Sequence, residues 1–307
     1  MNPYQQNRSL VAFCPAKVNL TLAITGKYND GYHELISLVA PLQWGDSLWA
    51  RTKPYEAKSK DSLTCSNKAC GLPLDSTNLI LRAAQAFREF CPLDFAIHFH
   101  LEKRIPIGAG LGGGSSNAAA ALRLINSFLG KRRLPDEDLR AIAAGVGSDC
   151  PLFINPQPAL IQGRGEQVEL LTSNQTQALL AQSLLLFKPH FPIATPWAYQ
   201  QLKAKDWTDA KTVWKHLKDW QQQPSKLEKV LCNDLQKPVF RKYLALPILL
   251  EELQNRFDLD CQMTGSGSTC FALLKPSTPM ASLRKTIQDA WGKYTWIKEV
   301  RIGGSLA

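Results

Sequence analysis

The chain has 307 residues, 45% of them hydrophobic and 20% charged, and its 36 Lys and Arg outweigh 26 Asp and Glu for a net charge of +10. That composition excludes disordered and fibrous classes, and the length suits two modest domains better than one core. The positive surplus points to an anionic partner; because the basic residues are scattered, with Lys131-Arg132-Arg133 the longest cluster, a phosphorylated small molecule fits better than nucleic acid.

Cys14, Cys65, Cys70, Cys91, Cys150, Cys232, Cys261 and Cys270 are dispersed, with no C-x-x-C pair and no histidine near Cys65 and Cys70. Free thiols in a reducing cytosol are expected, in place of disulfides or a zinc site. The longest apolar stretch, 178–187, is interrupted by Gln182 and Ser183 and falls far below the ~20 residues a bilayer requires. The run Leu10 to Cys14 is too short for a signal peptide, and bulky Phe13 stands where a cleavage site needs a small residue. A cytoplasmic protein with no membrane contact is expected.

In chain order, Val18, Leu20, Leu22 and Ile24 alternate with Lys17, Asn19, Thr21 and Ala23, which predicts a half-buried strand over 16–25 with Lys17 and Asn19 side by side on its polar face. A turn at Asn29-Asp30-Gly31 leads to more extended sequence up to Gly45-Asp46, and the polar stretch 51–75 reads as a surface hairpin with a loop. Thr77 or Asn78 caps a predicted helix carrying Leu79, Ala83, Ala86, Phe87 and Phe90; Phe95 to Leu101 alternates again as a strand. After a glycine-rich loop, an alanine-rich helix runs from Ser115 to Leu129 and ends at Gly130. The next helix opens at Pro135 with Asp136, Glu137 and Asp138 in its first turn and is expected to stop at Gly145. Composition shifts over 172–182, so the expected division is one domain over 1–175 and a second over 176–307. Helices at 198–203, 210–220 and 247–257, a glycine-rich strand pair and a last helix at 280–291 follow. Helices and antiparallel-looking strands mix without a βαβ rhythm, so the fold class is α+β.

The most informative stretch runs Pro106, Ile107, Gly108, Ala109, Gly110, Leu111, Gly112, Gly113, Gly114, Ser115, Ser116. Its glycines admit positive φ, and the helix that follows offers unpaired N-terminal amides and a positive dipole end to an anion. A phosphate cradle results. Gly108, Gly110 and Gly113 fit G-x-G-x-x-G, yet no acid follows about twenty residues on, where the chain reads Leu129 to Arg133. A Walker loop would place Lys after its last glycine, and Gly114 is followed by Ser115. A second loop, Thr264-Gly265-Ser266-Gly267-Ser268, would on its own be a tight hairpin turn. Taken singly, Asp149 in Gly147-Ser148-Asp149-Cys150-Pro151 is a turn former, and Lys17 a solvated strand lysine.

Together, Pro15-Ala16-Lys17-Val18-Asn19-Leu20, the 106–116 loop and the 264–268 loop resemble the galactokinase, homoserine kinase, mevalonate kinase and phosphomevalonate kinase (GHMP) superfamily, in order and spacing over nearly the whole chain. Asp30-Gly31-Tyr32-His33-Glu34-Leu35, Asn78-Leu79-Ile80, Gly147 to Phe153 and Gly163-x-Gly-Glu166 are similar to the branch whose acceptor is 4-diphosphocytidyl-2-C-methyl-D-erythritol. The resemblance implies an N-terminal domain like the second domain of ribosomal protein S5, a ferredoxin-like C-terminal domain, and ATP with Mg²⁺ as phosphoryl donor. It implies Lys17 and Asp149 as the catalytic pair, Pro106 to Ser116 around the phosphates, and Lys103 and Asn78 along the nucleoside. Asn19, Tyr32, His33, Thr195, Tyr199, Gly265 and Gly267 fall to the acceptor, with Tyr32 and Tyr199 sandwiching cytosine and His33 reading its edge. No dedicated metal ligands are expected, and the chain is expected to be a monomer or weak homodimer. Another GHMP kinase without a cytosine reader, or a basic RNA-binding protein on an S5-like fold, are the competing readings.

Overall fold

The computed structural model describes residues 8–54, 60–66 and 71–303. The chain opens with β1 (Ser9–Asn19), β2 (Thr21–Lys27) and the 22-residue β3 (His33–Pro54), a strand long enough to pair with both of the others. β1 runs antiparallel to β3 with an irregularity between Pro15 and Lys17, and β2 pairs with the start of β3 as far as Lys27 opposite His33. The half-buried strand expected at 16–25 is instead two strands interrupted at Leu20, and Cys14 to Ile24 are buried on both faces, the polar Lys17, Asn19 and Thr21 included. The apolar face meets the second half of the chain, while the polar face is roofed by the glycine loops, so neither remains in water.

β4 (Ser62–Cys65) pairs parallel with β5 (Phe95–Glu102), and β5 pairs antiparallel with the far end of β3. Among the described residues the expected hairpin within 51–75 does not form, because Leu63 and Cys65 bury against the core beside β5; Cys70 lies outside the described residues. α1 (Leu79–Phe90) is capped by Asn78, whose side chain accepts from the Ile80 N–H at 2.9 Å. α2 (Gly113–Phe128) follows the glycine loop, and α3 (Asp136–Val146) carries its three acids in the first turn. α3 stops at Gly147, two residues beyond the expected Gly145: Val146 completes the apolar stripe of Leu139, Ile142 and Ala143, and its burial carries the helix on.

β6 (Ala159–Gly163) and β7 (Gln167–Leu170) form a hairpin, with β6 against β3. The 172–182 stretch is an ordered helix, α4 (Ser173–Leu180), closed by a capping box between Thr172 and Gln175. β8 (Ser183–Lys188) leads to α5 (Thr195–Gln200), which starts three residues before the expected 198 because Pro196 suits a first turn. α6 (Ala210–Gln222), β9 (Cys232–Asn233), α7 (Gln236–Lys242) and α8 (Ala245–Phe257) follow. β10 (Cys261–Met263), β11 (Cys270–Leu273), α9 (Met280–Trp291) and β12 (Trp296–Arg301) complete the chain.

The second sheet has the order β10-β11-β8-β12, antiparallel throughout, and β9 joins the first sheet by pairing parallel with β2. α1, α2 and α3 bury their apolar faces against the first sheet. A second cluster joins Ala16, Val18 and Leu20 of β1 to Leu184, Leu186 and Phe271 of the second sheet, so one core crosses the middle of the chain. No helix among the described residues is long and apolar enough to cross a membrane. The seven described cysteines are free, and burial pushes the thiols of Cys14, Cys150 and Cys261 up to about 12.

Candidate active site

A cavity of about 950 Å³ opens between the two halves. One wall is the glycine loop. Gly108, Gly110 and Gly112 have φ of +61°, +75° and +68°, which glycine alone adopts freely, whereas Ala109 lies outside that region and fits as alanine. Gly112 is the N-cap of α2 and supplies no side-chain cap, and the first turn holds no acid. The amides of Gly113, Gly114 and Ser115 therefore have no side-chain acceptor, and with the helix dipole they form an anion site. The second glycine loop is the β10–β11 turn and also a wall of the cavity. A Cβ on Gly110 would collide with the Thr264 carbonyl, and one on Gly265 would lie 2.9 Å from the Gly110 oxygen, so the two loops touch backbone to backbone.

Beside the cradle stand Lys17, Asn19 and Asp149. Lys17 follows the β1 irregularity, a device that re-aims a strand side chain. Its N–H donates to the Leu111 carbonyl at 3.0 Å, which ties β1 to the glycine loop. The Lys17 ammonium donates to Asn19 Oδ1 at 2.6 Å and lies 3.6 Å from Asp149 Oδ2. Asn19 is held in turn: its Nδ2 donates to Ser37 at 2.9 Å and its backbone N–H to Thr264 Oγ1 at 2.9 Å. The ammonium is thus 6% exposed and fixed, while Asp149, 42% exposed in a turn ahead of Pro151, presents its carboxylate to the cavity.

The remaining wall is aromatic. His33, at the start of β3, sits 5.3 Å from the Tyr199 ring, and burial with the positive charge of Lys27 lowers its pKa. Burial and then the Asp149 charge push the Tyr199 phenol up. Thr195 shares a 2.7 Å hydrogen bond with Ser266 of the second loop. Tyr32 is 59% exposed and lies beneath the Arg164 guanidinium, at 5.3 Å. Arg164 also covers Tyr28 and pairs with Asp30 at 2.7 Å, an arrangement the sequence reading missed although Gly163-x-Gly-Glu166 marked the place.

Lys103 lines the cavity, but its ammonium is buried against Asp46, a carboxylate with no exposure. Asp46 also accepts from the Arg104 and Ile105 N–H groups at 2.7 and 2.8 Å and from Asn117 Nδ2 at 2.9 Å, which anchors the entry to the glycine loop to α2. Nothing in the sequence marks Asp46, whose partners lie about sixty residues away or more. Asn78 lines the cavity with its side chain spent on Ile80 and on the Pro73 carbonyl. Ser116 and Gly267 stand behind the walls: the Ser116 hydroxyl is buried without a partner among the described residues, and Gly267 packs on Met263 and Ile193.

The GHMP kinases N terminal domain matches residues 78–155, and the GHMP kinases C terminal matches 218–293. A 4-diphosphocytidyl-2-C-methyl-D-erythritol kinase of Methylacidiphilum infernorum is 38% identical over 292 residues, covering 94% of each chain. The chain belongs to the 4-diphosphocytidyl-2-C-methyl-D-erythritol kinase family. The enzyme of that name from Chlorobium phaeobacteroides is 36% identical over 88% of this chain and 90% of its own. A crystal structure of a 4-(cytidine 5'-diphospho)-2C-methyl-D-erythritol kinase superposes with a TM-score of 0.72 at 28% identity, over 96% of this chain and all of the other. Homoserine kinase from Cytophaga hutchinsonii, 16% identical, shares the fold at a TM-score of 0.71 over 95% and 94%. As a GHMP kinase the chain uses ATP, and the two glycine loops in contact at the cavity wall are the family's motifs brought together.

Proposed function

We propose that this kinase transfers the γ-phosphoryl group of ATP to the 2-hydroxyl of 4-diphosphocytidyl-2-C-methyl-D-erythritol, in the non-mevalonate route to isoprenoid precursors. The observation that carries the reading is the Lys17–Asp149 pair at 3.6 Å, lining one cavity with the amide cradle. Phosphoryl transfer needs positioning and charge stabilisation more than covalent chemistry from the protein. The α2 amides hold the triphosphate, and Asp149 accepts a hydrogen bond from the acceptor hydroxyl. As the new oxygen–phosphorus bond forms and the bond to the β-phosphate oxygen breaks, the hydroxyl proton passes to the Asp149 carboxylate and later to solvent. Lys17, held by Asn19, balances Asp149 and the charge that develops on the transferring group.

Among the described residues no three His, Cys, Asp or Glu side chains converge as a metal site. Asp149 is the cavity carboxylate that would help hold a Mg²⁺ ion brought with the phosphates. When bound, the ion neutralises phosphate charge. The acceptor lies against Tyr199, His33 and Tyr32, with Arg164 supplying positive charge at that end. Lys103 and Asn78 border the nucleoside.

The test is an ADP-release assay over a panel of acceptors: the cytidyl substrate, its uridyl analogue, homoserine and mevalonate. Turnover confined to the cytidyl compound is expected. Faster turnover of homoserine or mevalonate, or salt-sensitive RNA binding without ATP turnover, would overturn the assignment.

A further inference from the structure

Behind His33, outside the cavity, stands Trp207. Its ring centroid is 6.4 Å from that of His33 with the planes at 85°, while Tyr199 meets the same imidazole at 5.3 Å and 38°. The short segment that carries Trp207 is anchored on both sides by a buried carboxylate. On one side Asp206 accepts from both Arg241 nitrogens at 2.8 and 2.9 Å and from the Lys203 N–H at 3.0 Å, and its carbonyl accepts from Lys237 at 2.7 Å. On the other, Thr208 donates its N–H and hydroxyl to Asp234 at 3.0 and 2.7 Å, and Asp234 accepts the Ile24 N–H of β2 at 2.8 Å. The indole is therefore referenced to β2, the strand that pairs with β3 at Lys27 and His33. Its Nε1–H is buried with no acceptor among the described residues. Leaving such a donor unpaired is costly, and the indole stays against the His33 ring.

We propose that Trp207 acts through His33 as a positioning residue for the acceptor's base, an inference that rests on the acceptor-site reading above. The imidazole is flanked by two rings, and His33 lines the cavity. Lys27 faces it across the strand pair, and Glu34, next in the chain, is turned to Thr25 at 3.1 Å. A neutral imidazole offers one donor and one acceptor, which suits a base edge carrying both; an imidazolium has only donors. Burial disfavours the charged form, and with the Lys27 charge it lowers the His33 pKa.

Trp207→Ala, Trp207→Phe and His33→Gln are compared in the full chain by steady-state kinetics, melting temperature and NMR titration of His33. Aromatic contacts of this kind correspond to roughly three- to tenfold in an equilibrium. Trp207→Ala is expected to raise the acceptor KM by that factor with the ATP KM within about twofold, and to move the His33 midpoint up toward 6.5, because readmitted water favours the imidazolium. Trp207→Phe keeps a ring against His33 and should stay within about twofold of wild type in both KM values. An unchanged acceptor KM and His33 midpoint in Trp207→Ala, while His33→Gln is impaired, would overturn the role of Trp207 alone. An unchanged acceptor KM in both Trp207→Ala and His33→Gln would overturn the acceptor-site reading itself. Equal losses for both substrates with a lowered melting temperature would make Trp207 a packing residue and refute the proposal.

Discussion

Replacing Gly112 by alanine perturbs the cradle and the catalytic lysine at once. Gly112 sits at φ +68°, and a Cβ there would lie 2.9 Å from Lys17 Cγ, 3.1 Å from its Cε and 3.1 Å from Phe153 Cζ. The backbone strain amounts to roughly 1–2 kcal/mol. The contacts are shorter than the ~3.5–4.0 Å at which carbon atoms rest. Phe153 is fully buried, so the flexible Lys17 stem gives way, by about half an ångström. A misplacement of 1 Å can cost about a hundredfold in rate, so about tenfold in kcat is expected. At about 2–4 °C per kcal/mol, the strain and crowding should lower the melting temperature by roughly 4–10 °C. Gly130→Ala is the control: φ is +59°, nothing lies within 4 Å of the added carbon, and the residue is outside the cavity. It should show the thermal shift of strain alone with kcat unchanged, read by coupled ADP release and differential scanning calorimetry. A Gly112→Ala enzyme that melts like Gly130→Ala and keeps wild-type kcat would refute the contact between the helix cap and Lys17.

Asp149→Asn should keep ATP affinity and lose roughly 10²–10⁴-fold in kcat, and near-normal turnover would remove Asp149 from the role of base. Tyr199→Ala should raise the acceptor KM by about tenfold while sparing ATP, with Tyr199→Phe nearly silent because stacking uses the ring face; equal effects on both substrates would contradict this. Mass spectrometry after iodoacetamide treatment at about pH 8 should find Cys14, Cys150 and Cys261 unmodified until the chain unfolds, since burial holds these thiols up to about 12. Asp206 is held down to about 2, first by its hydrogen bonds with Arg241. A depressed carboxylate stabilises the fold fully above its unfolded pKa of 3.8 and less as pH falls toward 2, so Asp206→Asn should flatten that part of the melting temperature's acid dependence.

Local order is legible along the chain wherever period and punctuation agree. α1 with its Asn78 cap, β5, and α9 over Met280–Trp291 follow the sequence reading closely, because caps and apolar periodicity act within a few residues. The motif residues are equally legible: the alternation that put Lys17 and Asn19 on one face of a strand is the reason they meet at 2.6 Å. Other features depend on partners distant in sequence. The sequence pattern of 16–25 is that of a strand with one wet face, yet the second sheet covers its apolar side and two glycine loops cover its polar side. The strand at 62–65 reads as half of a hairpin, but burial of Leu63 and Cys65 gives it β5 as partner. Asp46 and Trp207 carry no local signal at all; the one gains its meaning from Lys103 and Asn117, the other from His33. Propensities and motifs act over a few residues and can be read singly, whereas burial, ion pairing and the orientation of a ring are set only when segments far apart in the chain are packed together.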